Sequence, residues 1–145
     1  MRILGIDPGI ETTGYGIVQK NQGRESRRSA LECIEYGCVK TTKDKRQGER
    51  LLLLEKGITL LLKKHKPDAM AVESLFFFKN LKTVMPVSEA RGVILLAGAK
   101  QGIPIYEFSP LQVKMAVVGY GRAEKKQIQL MVKETLALHE TPKPD

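Results

Sequence analysis

The stretch that decides the fold is GIDPG at residues 5–9, followed closely by TGYG at residues 13–16. The first motif closes the apolar run Arg2–Asp7, and Pro-Gly after a short apolar run is typical of a buried strand that ends in a turn. The second motif lies in Thr13–Gln19, whose Gly, Tyr, Ile and Val indicate another strand, and Leu31–Lys40 has the composition of a third. Three successive strands with short links predict an antiparallel meander.

From residue 48 onward the apolar positions recur at helical spacing, and helices then alternate with strands. The predicted elements are a helix over Gly48–Lys64, a strand over Ala69–Val72 that ends at Glu73, a helix over Leu81–Lys100, a strand over Ile103–Phe108, a helix from Pro110 to Val118 with Ser109 as its N-cap, and a last helix over Ala123–Ala137. This order predicts an α/β fold with a mixed five-stranded sheet, in which strands 1–3 are antiparallel and the later strands are parallel through crossover helices.

The chain has 145 residues, a formal net charge of +8 and a sequence pI of about 9.6. So basic a single domain favours a polyanion, nucleic acid above all, as its partner. The longest apolar run, Leu51–Leu54, is far shorter than the roughly 20 residues of a membrane span. Met1 leads directly into the first predicted strand, so we expect no signal peptide, no membrane partner and a cytoplasmic location.

Two carboxylates end apolar runs, Asp7 after the first strand and Glu73 after the fourth. If these strands are parallel neighbours, the two acids converge at one edge of the sheet, where they repel each other unless a proton or a cation lies between them. Oxygen ligands of this kind suit Mg²⁺ or Mn²⁺, and paired ions at a basic surface are typical of phosphodiester hydrolysis. Taken singly, Asp7 is equally well interpreted as a turn starter and Glu73 as a solvated strand-end acid.

The cysteines and histidines offer no site of their own. Cys33 and Cys38 are the only cysteines, and their odd spacing predicts side chains on opposite faces of a strand, which disfavours a disulfide between them. His65 and His139 are interpreted as surface residues. Reduced thiols and scattered histidines do not predict a zinc site.

Taken together, the motifs resemble the RuvC family of bacterial Holliday-junction resolvases. GIDPG and TGYG are similar to the opening of the family, and Val72-Glu73 with Phe76 and Lys79-Asn80 is similar to its second motif. The sequence ARGV at 90–93 matches the central helix, and QVK at 112–114, VVG at 117–119 and AEK at 123–125 match the fourth block. The resemblance runs in order along the whole chain.

This resemblance implies an RNase H-like fold and a homodimer that cuts four-way DNA junctions by two paired nicks. It implies a catalytic site with two Mg²⁺ ions, Mn²⁺ being the alternative, and a branch-migration complex of RuvA and RuvB as protein partner. By motif, Asp7 and Glu73 are metal-binding acids, and Lys114 and Lys125 hold the DNA near the scissile phosphate.

The second motif adds two expected DNA contacts by the same resemblance. Phe76 matches an aromatic residue that stacks on a base opened at the junction, and Lys79 is expected to contact the DNA. Core packing is the alternative interpretation of Phe76. Phe77 and Phe78 are interpreted as core or dimer contacts.

The end of the chain departs from the family pattern. The family has two further acids, three residues apart, at the start of a final helix after a Pro-containing turn. Pro142-Lys143-Pro144-Asp145 resembles that turn, and Asp145 is a candidate metal ligand. We therefore expect a single RNase H-like nuclease domain over residues 1–145 that lacks the final C-terminal helix.

Two other function classes stay open at this point. The first is a catalytically incomplete dimer that binds junctions without cutting them, because the last acidic motif is missing. The second is an actin-like ATPase, whose phosphate loop also begins with a strand, Asp and Gly. That class needs two such domains to enclose a nucleotide, so the length of this chain disfavours it.

Overall fold

The computed structural model describes residues 1–20, 31–74 and 81–143. Its elements alternate much as the apolar patterns predict. They are β1 (Arg2–Asp7), β2 (Thr12–Lys20), β3 (Leu31–Lys40), α1 (Gln47–His65), β4 (Ala69–Glu73), α2 (Leu81–Lys100), β5 (Ile105–Phe108), α3 (Pro110–Val118) and α4 (Lys125–Thr135).

The five strands form one mixed sheet in the order β3-β2-β1-β4-β5. β1 pairs antiparallel with β2, and β2 with β3, whereas β4 pairs parallel with β1 and with β5. This confirms the predicted meander and the parallel crossovers. Because β1, β3, β4 and β5 run in one direction, their last residues lie at one edge, here called the carboxyl edge (Asp7, Lys40, Glu73 and Phe108).

The core lies between one face of the sheet and helices α1 and α2. Its fully buried side chains alternate along the strands and recur at helical spacing in α1 and α2, as burial of one face requires. They include Leu4, Ile17, Met70, Val72, Leu54, Ile58, Ile94 and Ala97. Gly57 lets α1 approach β3, since a Cβ there would lie 2.8 Å from Cγ1 of Val39.

The ends of two late elements differ from the prediction. β5 begins at Ile105 instead of Ile103, because Pro104 has no N–H with which to extend the ladder. The last helix covers Lys125–Thr135 and so is shorter at both ends. Glu124 caps its start together with Gln127, and Ala137 adopts a left-handed φ of 49° just beyond its end.

A β-bulge in β3 overturns the expectation for the cysteines. Cys33 pairs with Val18 and Cys38 pairs with Gly14, while the register shifts between Ile17 and Val18. Val18 and Gly14 lie four residues apart and so on one face of β2, and cross-strand partners share a face. Both thiols therefore face the same side, and it is their separation along the strand that keeps them apart as free cysteines.

Within the three described ranges, no helix combines the length and the apolar character that crossing a membrane requires.

Candidate active site

Asp7 and Glu73 meet at the carboxyl edge. In the parallel pairing of β1 with β4, Ile6 lies opposite Val72, so the next residue on each strand is one of the two acids. Their side chains share a hydrogen bond. Asp7 is solvent-exposed and Glu73 is partly buried. The predicted convergence of the two acids is therefore confirmed as geometry, although Asp7 is less buried than its place after an apolar run indicates.

The pKa values of both carboxyl groups are raised above their ordinary values. Burial, followed by the charge of Asp7, raises the pKa of Glu73 to about 7. Although Asp7 is exposed as a residue, the protein around its carboxyl group keeps part of the water away and raises its pKa, against the hydrogen bond from Glu73 and the charge of Lys125, which lower it. Near neutral pH the pair thus retains a proton, at the place where a cation would bind in its stead.

Two lysines lie near the acids. Lys114, on α3, is partly buried, and its charge acts on Glu73. Lys125 is exposed, and its charge acts on Asp7. It is the first residue of α4, which begins at the capping box of Glu124 and Gln127. Both lysines that the sequence indicated therefore lie beside the acid pair.

A groove opens on the sheet face opposite to the core, with a volume of about 710 Å³. Its floor is low, because glycines occupy several central positions of the strands. Asp7 and Glu73 are the charged residues among those that line it. The remaining lining is mostly apolar and comprises Ile3, Gly5, Ile6, Gly14, Tyr15, Gly16, Val18, Ala71, Val72, Phe108, Val113, Ala116, Val117 and Val132.

The donor set at the acid pair fits a hard cation. Two carboxylates offer oxygen ligands, and Mg²⁺ is commonly held by one or two carboxylates, with water and substrate phosphate completing its shell. Among the described residues, no third His, Cys, Asp or Glu side chain joins the pair, and no other group of three could hold a metal ion.

His65 corrects the interpretation of the histidines as surface residues. It is 6% exposed, and its Nε2 lies 3.1 Å from Oε2 of Glu35.

Three predicted site residues lie outside the described residues. They are Phe76 and Lys79, between β4 and α2, and Asp145, at the end of the chain. Phe77 and Phe78 lie outside them as well.

The sequence interpretation missed the polar residues that hold the turn after Asp7. Thr13 is fully buried, and its hydroxyl donates to the carbonyl oxygen of Gly9 over 2.5 Å. Thr41 is 5% exposed, and its hydroxyl donates to the carbonyl oxygen of Ile10 over 2.5 Å. Threonine is common in strands, so Thr13 within β2 does not indicate a role in the turn. Thr41 lies directly after a strand and beside polar residues, and this position is a weak indication of a turn contact.

Comparisons with known proteins find relatives that match this chain along its length. A family model described as crossover junction endodeoxyribonuclease RuvC matches residues 3–145. RuvC of Fusobacterium nucleatum is 50% identical over 145 residues, which cover 100% of this chain and 73% of that protein.

Solved structures of RuvC proteins superpose on this chain along its whole length. Thermus thermophilus RuvC superposes with a TM-score of 0.87 at 34% identity, over 100% of this chain and 86% of that one. RuvC from the same organism in complex with a Holliday junction substrate superposes with a TM-score of 0.88 at 33% identity, over 100% and 85%. The predicted RNase H-like fold is thereby confirmed.

Proposed function

This chain belongs to the RuvC family of crossover junction endodeoxyribonucleases, and from that premise we propose that it resolves four-way DNA junctions by metal-assisted hydrolysis of phosphodiester bonds. The observation that carries the proposal is the Asp7–Glu73 pair at the carboxyl edge, with Lys114 and Lys125 beside it. The two acids retain a proton near neutral pH and lie next to two lysines. A divalent ion in place of that proton would link the acids to a phosphate group of the DNA.

The ion that we propose is Mg²⁺, with Mn²⁺ as the alternative and two ions as the expected number. Asp7 and Glu73 would hold it, and Asp145 is the further candidate ligand. The chemistry that such an ion would supply is a lower pKa for the attacking water and a positive charge beside the leaving oxygen. A divalent ion held by Asp7 and Glu73 would compete with the proton that the pair retains, so its binding would be coupled to release of that proton.

The lysines act on the DNA in this proposal. Lys114 is partly buried, so less water screens its charge, and a fixed cation there offsets the negative charge that grows on the phosphate in the transition state. Lys125 is exposed at the start of α4 and suits a contact with the DNA backbone. Phe76 and Lys79 are proposed as junction contacts from the family pattern, Phe76 by stacking on an unpaired base.

Two paired nicks require two catalytic sites, and we propose a homodimer formed through α2. Met85 is 67% exposed and Leu96 is 52% exposed, and they lie on one side of the helix together with exposed Gly92 and the exposed acid Glu89. Two large exposed apolar side chains around a glycine suit a contact with a second copy, and Glu89 would lie within or at the rim of that contact. Leu96→Glu should shift the mass measured by light scattering to that of a monomer; an unchanged dimer would place the interface elsewhere.

The proposed protein partner is a branch-migration complex of RuvA and RuvB, which rests on the family resemblance alone. A pull-down of the dimer with the two purified proteins on a junction tests it.

The test of the function is cleavage of a synthetic four-way junction with Mg²⁺, compared between the wild-type chain, Asp7→Asn and Glu11→Gln. Glu11 is an exposed acid at the same edge, where it pairs with Lys43 at 3.2 Å, so its substitution controls for the loss of one negative charge. We expect paired nicks from the wild-type chain and Glu11→Gln, and a loss of about 1000-fold or more in Asp7→Asn. Binding without any nicking by the wild-type chain would instead identify a catalytically incomplete junction binder.

A further inference from the structure

The turn that follows Asp7 is fixed by buried polar side chains from two other segments. On one side Thr13 forms a reciprocal pair with Gly9: its hydroxyl donates to the carbonyl oxygen of Gly9 over 2.5 Å, and the N–H of Gly9 donates back to the hydroxyl oxygen over 3.2 Å. Both polar groups of one turn residue are thereby satisfied by a single side chain. A Cβ at Gly9 would collide with the carbonyl oxygen of Thr12, so the turn and β2 approach each other closely here.

On the other side Thr41, directly after β3, holds the next two residues of the turn. Its N–H donates to the carbonyl oxygen of Glu11 over 3.0 Å, and its hydroxyl donates to that of Ile10 over 2.5 Å. The Nε of Arg50, on α1, donates to the same hydroxyl oxygen over 3.0 Å. The turn is thus attached to β2, to the end of β3 and to the first turns of α1.

The guanidinium of Arg50 is only partly satisfied by this network. The Nη2 of Arg50 is buried and has no hydrogen-bond partner among the described residues, and an unsatisfied buried nitrogen of a cation costs free energy. The hydrogen bonds of Thr13 and Thr41 nevertheless attach the turn at three successive residues, Gly9, Ile10 and Glu11.

We infer that Thr13 and Thr41, with Arg50 behind Thr41, are positioning residues that set the place of the Asp7 carboxylate relative to Glu73. The inference rests on the proposed function. Asp7 is the last residue of β1, so its backbone is held by the sheet on one side and by this turn on the other. A carboxylate at a metal-dependent site has to be placed within a fraction of an ångström, and a misplacement of about 1 Å can lower a rate about 100-fold.

The experiment compares Thr13→Val with Thr13→Ser, and Thr41→Val with Thr41→Ser. Valine keeps the branched shape and removes the hydroxyl, whereas serine keeps the hydroxyl. Thr59→Val is the matched control, since it removes a 3.2 Å hydrogen bond to Oε1 of Glu55 on α1, far from the turn. For each variant one measures the single-turnover cleavage rate across a Mg²⁺ titration, the junction affinity without divalent metal, and the melting temperature.

We expect each valine variant to lose at least about tenfold in cleavage rate and to need more Mg²⁺, with junction affinity within about twofold of wild type. Each serine variant should recover most of the rate. If Thr13→Val fails to fold by circular dichroism, Thr41→Val and the serine variants still give the comparison.

The inference is overturned if the valine variants cleave like Thr59→Val, or if serine restores no activity while it restores the melting temperature. Loss of cleavage in Asp7→Asn together with normal cleavage in the valine variants would overturn this inference and leave the proposed function standing. Full cleavage by Asp7→Asn would overturn the proposed function itself.

Discussion

The carboxyl groups of Asp7 and Glu73 share a hydrogen bond between parallel neighbouring strands, although β2, β3 and α1 lie between them in the chain. In the folded chain this contact makes the pair a better proton acceptor than either acid is by itself. The proton affinity of the pair is expected to affect the stability of the fold and the binding of a metal ion, and both effects can be measured.

The first prediction concerns the pH dependence of stability without metal. The pKa of Glu73 is about 7 in the folded chain, above its ordinary value of 4.5, so the folded state binds the proton more tightly than the unfolded state does. This contribution is fully present below pH 4.5 and is lost as the pH rises through 7; the raised pKa of Asp7 acts in the same direction. We expect Glu73→Gln to gain about 2 kcal/mol relative to wild type between pH 5 and pH 8, a value reduced for its partial exposure.

Melting temperatures of both chains in chelator at the two pH values check this prediction. Glu11→Gln, at the same edge, should show no such gain. A constant difference between wild type and Glu73→Gln at both pH values would contradict the assignment of the proton to this pair.

The second prediction concerns metal linkage. Mg²⁺ competes with the shared proton, so it should raise the melting temperature more at pH 8 than at pH 6, and its binding should release protons into a weakly buffered solution. At 100 times its dissociation constant, a bound ion adds about 3 kcal/mol to the free energy of unfolding. Calorimetry in two buffers of different ionisation enthalpy counts the protons, and Asp7→Asn should lose both effects.

The third prediction separates rate from affinity at the lysines. Lys114→Ala should lower the single-turnover cleavage rate about 100-fold, because it removes a fixed cation that acts mainly on the transition state. Junction affinity without divalent metal should fall less than about threefold. Lys126→Ala, next to Lys125 on the exposed start of α4, is the control. Equal losses of rate and affinity in Lys114→Ala would make it a plain backbone contact.

The fourth prediction tests the packing of α1 on β3. An alanine Cβ at Gly57 would lie 2.8 Å from Cγ1 and 3.3 Å from Cγ2 of Val39. Gly57→Ala should therefore destabilise the fold by about 1–3 kcal/mol, although alanine favours the helix by roughly 1 kcal/mol. Urea unfolding measures this change.

The same helix supplies the control. Gly48 has nothing within 4 Å of an added Cβ, so Gly48→Ala should be neutral or slightly stabilising. In the Gly57→Ala background, Val39→Ala should recover part of the loss. Destabilisation by both glycine substitutions would point to the helix backbone instead of the contact with Val39.

The meeting of Asp7 and Glu73 could be predicted from the sequence, because two rules act together. Each acid ends an apolar run, and a strand that follows a crossover helix commonly joins the sheet in parallel, which brings carboxyl ends to one edge. That β4 lies beside β1, and not beside β3 from which α1 leads, is a property of the sheet order. The start of α3 could also be predicted, because Ser as N-cap and Pro as first helical residue are signals carried by two adjacent residues. In the structure, the hydroxyl oxygen of Ser109 accepts a hydrogen bond from the N–H of Gln112 over 3.2 Å.

Features that depend on contacts between distant segments could not be predicted from the sequence. The bulge that turns Cys33 to the same face as Cys38 is set by the pairing of β3 with β2, and the composition of β3 carries no sign of it. The burial of His65 depends on its contact with Glu35 across the α1–β3 packing. Thr13 looks like an ordinary strand residue until the turn is folded onto it.

The long connection from β1 to β4, which contains β2, β3 and α1, also determines when the acid pair can exist. Parallel pairing of β1 with β4 is non-local, so it forms only after α1 has brought the chain back along the sheet. During synthesis Asp7 leaves the ribosome well before Glu73, and a partly made chain carries a single carboxylate at the end of β1. The acid pair is therefore a product of completed folding, and an immature chain cannot present it to DNA.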